Sequence, residues 1–103
     1  MKLETHDYES DTQRCFGLIV YNEDGRSLPK GFVSSLNANA FLEDGAEKSA
    51  WIELGVQSPT GDASDHHHFS FPCENFVQAE AIVRMALDVL ARVVEERAKL
   101  VNA

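Results

Sequence analysis

A chain of 103 residues, 44% of them apolar, has room for one modest core and is too hydrophobic for general disorder. Seventeen acids against nine bases leave a net charge of −8, which argues against nucleic acid as a direct ligand, because phosphate contacts need clustered Lys and Arg. No stretch is apolar enough to span a bilayer, and Met1 to Asp11 carries four acids and no apolar run, so a soluble cytoplasmic protein without membrane contact or secretory leader is expected.

Residues 1–12 are polar and read as a frayed tail or an edge strand of a single domain spanning residues 1–103. Gln13 to Tyr21 reads as a strand: Phe16, Leu18 and Val20 alternate onto one face, Cys15, Ile19 and Tyr21 onto the other. Asn22-Glu23-Asp24-Gly25 signals a turn, and a return strand is expected around Lys30 to Leu36 with Pro29 at its start. Residues 37–48 read as a short helical turn or a loop, closed by the turn Glu43-Asp44-Gly45. Ser49 to Gln57 is a further strand, with Ile52, Leu54 and Val56 on one face and Trp51 and Glu53 on the other. Residues 58–65 hold Pro59, Gly61 and Asp62 and read as a polar loop. His66 to Phe71 is the last strand, stopped by Pro72 and paired with 49–57.

A helix is expected from Phe76 to about Val101, a run without Gly or Pro. Asn75 is its N-cap, and Gln78 completes a capping box. Glu80, Arg84, Asp88, Arg92 and Glu96 recur every four residues with alternating sign and mark a solvated stripe. The opposite arc, from Phe76 through Ala79, Val83 and Leu87 to Val94, is wider than a small sheet can cover. The far end of that arc, at Val89, Val93, Leu100 and Val101, is therefore expected to meet another chain, with a homodimer as one form of that contact. The fold class that follows is α+β: an antiparallel sheet of about four strands covered by one long C-terminal helix.

Little in the chain resembles a catalytic or cofactor site, and no cofactor is expected. Cys15 and Cys73 are not spaced as C-x-x-C and read as buried thiols. Cys73 precedes a helix N-terminus, a position that activates some thiols, but a buried inert thiol is the expectation. No phosphate-binding glycine loop and no nucleophile elbow are present. Asp65-His66-His67-His68 is the most unusual segment. On a strand His66 and His68 share a face, a spacing that fits two metal ligands, but a zinc site needs three or four. His68 with Glu53 across the hairpin is the other chemistry the segment offers.

Residues 1–73 carry 12 acids and 5 bases, whereas the helix is nearly balanced. Glu43, Asp44, Glu47, Glu53, Asp62 and Asp65, with Trp51 among them, concentrate in the middle loops and strand. Such a set serves solubility alone, or steers a basic protein surface. The leading expectation is a non-catalytic binding protein that occludes a basic site on a protein partner. In strand-then-helix order, size and acidity the chain resembles small inhibitor proteins, among them phage-encoded anti-CRISPR proteins and toxin-immunity proteins. A histidine-based metal protein and an assembly subunit joined through the helix are the other two expectations.

Overall fold

Alternation of side chains decides which face of the sheet is covered. The computed structural model describes residues 1–58 and 66–102, the side chains of 101 and 102 excepted. Its elements are β1 (Lys2–Glu9), β2 (Gln13–Tyr21), β3 (Val33–Glu43), β4 (Ala46–Gln57), β5 (His66–Cys73) and α1 (Phe76–Asn102). The five strands form one antiparallel sheet in the order β1-β2-β3-β4-β5, each beside its neighbour in the chain. Phe16, Leu18 and Val20 of β2, Leu36 and Ala38 of β3 and Ile52 of β4 point to one face and are buried beneath Ala79 and Val83 of α1. Leu28, in the link between β2 and β3, folds back to close one end of this core.

The sheet has five strands where about four are expected, because residues 2–9 are an edge strand and not a tail. Lys2 to Glu9 pairs along its whole length with β2. Residues 37–48 are neither helical turn nor loop. β3 runs on to Glu43, and β4 starts at Ala46, so that Asn37-Ala38-Asn39-Ala40 is extended. Asn and Ala are poor strand formers, but the period of two puts Ala38 and Ala40 under the helix, where only small side chains fit its close approach. Asp44 and Gly45 both take positive φ, 52° and 79°, the two-residue hairpin turn whose twist matches its strands. The return strand begins at Val33 instead of Lys30, since Gly31 and Phe32 are used in a turn after Pro29 and in bonds to Gln57. β5 continues through Pro72 to Cys73, which an edge strand tolerates.

The start of α1 is fixed from two directions. The Gln78 amide donates to Asn75 Oδ1 at 2.8 Å, as an N-cap requires. The side chain of Gln78 reaches back one residue further than expected, accepting the Glu74 amide at 2.9 Å. Glu47 of β4 supplies the remaining cap, accepting the Phe76 amide with both carboxylate oxygens at 3.2 Å.

The charged ladder is solvated from Arg84 onward, with Glu80 half-buried, but it does not keep to one stripe. Four residues turn a helix 40° past a full turn, so the ladder winds around α1. At its start Glu80 and Arg84 pair at 3.7 Å, and Arg84 lies 4.0 Å over the Phe16 ring. At its end Glu96 is on the far side and pairs with Lys99 at 3.2 Å. Beyond Val94 every described side chain of α1 is exposed. The radius of gyration, 15.0 Å, exceeds the ~13 Å of a compact chain this long.

Candidate functional site on the open sheet face

Among the described residues, no helix lies over the second face of the sheet. Strand register sets its rows. Tyr8, Cys15, Asn39, Trp51 and Pro72 stand side by side across all five strands, and His6, Gly17, Asn37, Glu53 and Ser70 form the next row. Phe41 lies diagonal to Trp51. Tyr8, Ile19 and Phe41 are exposed on this face, and Trp51 and Glu53 are half-buried among their neighbours.

Gly17 shapes the middle of the face. A Cβ there would collide with Asn37 Oδ1 and lie 2.9 Å from His6 Nε2, so the missing side chain is what lets these two polar groups converge. Asn37 Oδ1 is buried and accepts no hydrogen bond, the one such side-chain atom among the described residues. His6 Nε2 is 3.8 Å from the Cys15 sulfur. Burial, then the negative charges of Asp7 and Glu53, push the Cys15 thiol above its ordinary 9.0. At neutral pH that thiol keeps its proton, so the Cys15–His6 contact is no thiolate nucleophile.

The acids that sequence groups together are divided by the fold. Glu43 and Asp44 form the β3–β4 hairpin tip, and they share an open groove with Glu9 and Asp11 of the β1–β2 turn. Arg14 in that groove pairs with Glu9 at 3.3 Å. Glu47 is engaged at the helix start. Trp51 and Glu53 are on the open face itself. Asp62 and Asp65 lie outside the described residues. Glu9 and Asp11 follow from the edge-strand alternative for residues 1–12: the antiparallel pairing of β1 with β2 places their turn at the same end as residue 44.

His66 and His68 do share a face, the open one. They line a groove of about 470 Å³ together with Ile19, Tyr21, Ser34 and Ser35. His66 Nδ1 is 3.1 Å from Ser34 Oγ. Register sets His68 opposite Gly55, and Glu53 opposite Ser70, so the cross-strand His68–Glu53 pair does not form. Among the described residues no three His, Cys, Asp or Glu side chains come together as a metal site would need. His67 falls on the helix-facing side with Phe69 and Phe71, and all three are exposed.

Among the described residues, no helix is long and apolar enough to cross a membrane. Val89, Val93 and Leu100 are exposed on α1, while the side chain of Val101 lies outside the described residues. Comparison with known proteins gives no match, neither to a family model nor to a curated protein nor to a solved structure.

Proposed function

We propose that this chain is a non-catalytic binding protein that covers a basic site on a protein partner, using the open sheet face and the acidic hairpin ends beside it. The observation that carries this reading is the exposure of Tyr8, Ile19 and Phe41 on the same open sheet face as the half-buried Trp51. Aromatic side chains at the centre and charge at the rim are the usual anatomy of a protein-binding surface. Glu53 on the face, and Glu9, Asp11, Glu43 and Asp44 at its end, give the surface a negative field that selects a basic partner. Occlusion of this kind is how small acidic inhibitors, whether directed at bacterial defence systems or at toxins, would work with so few residues.

The test is capture from the native host by the wild-type chain, beside Trp51→Ala, Glu53→Lys and the pair Glu43→Lys with Asp44→Asn. A basic protein held by the wild type, released as salt rises and lost on Trp51→Ala, is the expected result. Capture that none of the three variants changes would overturn the proposal.

A further inference from the structure

A different surface, on the covered side of the sheet, is left bare. One helix is about 10 Å across, whereas five strands at about 4.8 Å spacing span roughly twice that. Arg84 stacks on Phe16 of β2, so that flank of α1 faces β1 and β2. Ile82, Val89, Val93 and Leu100 project from the opposite flank, toward β5, and Met85 sits just above them. Met85 is 70% exposed, Val89 62% and Leu100 78%. Beside this flank Phe69 and Phe71 of β5 point to the helix side of the sheet, each about half exposed.

We propose that a second copy of this chain covers this surface, its α1 lying antiparallel along the first about a twofold axis. Two features select a second copy over another occupant. The first is area. Taking on the order of 200 Å² for a fully exposed large apolar residue, the five helix side chains with Phe69 and Phe71 offer roughly 800 Å² per copy, which is what each side of a standard interface buries. A lone apolar patch on a monomer is about 300–600 Å². The second is charge. Arg92 and Glu96 stand one turn apart in the groove formed with Val89, Val93 and Leu100. Arg92 makes no ion pair among the described residues, and the partner of Glu96 is the exposed Lys99, which an incoming Arg92 replaces. In an antiparallel pair about a twofold near these positions, Arg92 of each helix meets Glu96 of the other, giving two reciprocal pairs. The stripe is thus complementary to itself, apolar against apolar and Arg against Glu.

The test is the mass of the purified chain in solution, by light scattering or sedimentation, across concentration. The expected result is twice 11.4 kDa at micromolar concentration. Val89→Glu should weaken the dimer about a hundredfold or more, with helix content unchanged, because the residue is exposed in the single chain. Arg92→Glu should weaken it as well, and adding Glu96→Arg should restore it, since the exchanged pair is again complementary. A mass of 11.4 kDa at the highest concentration reached overturns the proposal. So does a dimer indifferent to Val89→Glu, or a monomer whose helix flank takes up a different protein.

Discussion

The carboxylate of Glu47 accepts the Phe76 amide through both oxygens, at 3.2 Å each, and so joins β4 to the first turn of α1 across 29 residues of sequence. A helix N-terminus carries unsatisfied N–H groups and a partial positive charge, and an acid there answers both. Glu47 is therefore a structural residue of the helix start, although its sequence neighbours Glu43 and Asp44 are free surface acids.

Replacing Glu47 by Ala should lower stability by about 1 kcal/mol, in line with loss of an N-terminal cap. Urea denaturation of the variant is the measurement. Reversal to Lys should cost more, because it sets a cation against the helix dipole. An unchanged midpoint in both would remove the role assigned here. It follows that a charge-reversal test of the acidic end must leave Glu47 in place.

At the hairpin tip, Asp44 has φ of 52°, where only Gly, Asn and Asp are at ease. Asp44→Asn should be neutral in stability. Asp44→Val should cost on the order of 1–2 kcal/mol, by the strain of a β-branched residue in that region. Thermal melts of the two variants side by side separate charge from conformation.

Gly17 and Asn37 should be coupled. Gly17→Ala alone is expected to destabilise, since the new methyl meets the Asn37 amide and the His6 ring. Asn37→Ala alone should cost little or even stabilise, because it removes a buried acceptor that nothing satisfies. In the double variant the Gly17→Ala penalty should shrink by roughly 0.5–3 kcal/mol, the range seen for contacting residues. A double-mutant cycle by denaturation measures this.

Alkaline pH should loosen the fold. Folding raises the Cys15 pKa through burial, Asp7 and Glu53, and raises that of Tyr21 through its 2.7 Å hydrogen bond to Glu4 and neighbouring acids. Above the ordinary Cys value of 9.0, the unfolded chain gives up a proton that the native chain retains, so the native state binds more protons and stability falls as pH rises. Tyr21 adds to the same trend from its ordinary value of 10.0 upward. Stability measured from pH 8 to 11 should decline, and less so in Cys15→Ser. For the same reason Cys15 should alkylate more slowly than a free cysteine at pH 7.5 and faster in Glu53→Gln, assayed in a Cys73→Ser background.

Where the chain states a period of two or of 3.6 with large apolar residues, the fold is legible in it. Phe16, Leu18 and Val20 disclose β2 to the residue, and Asn75 with Gln78 disclose the helix start. Asn37 to Ala40 conceals a strand because small residues carry no strong propensity, and their reason for being extended is a helix some 40 residues later. Residues 2–9 leave tail and edge strand both open, since an edge strand with polar side chains on both faces has the pattern of either. Of the binding surface, Trp51 and Glu53 are legible as one face of β4. The Gly17–Asn37 contact is not, because it exists only after β2 and β3 are in register.

The order of the elements along the chain has a consequence during synthesis. The whole sheet precedes the helix that covers it. Ribosomes add about 5–20 residues per second, so the 27 residues of α1 take roughly one to five seconds to make. For that interval, and until α1 clears the exit tunnel, Phe16, Leu18, Leu36 and Ile52 have no lid. A nascent sheet with a naked apolar side is a substrate for holding chaperones, and any early stop before Phe76 leaves that side open for good.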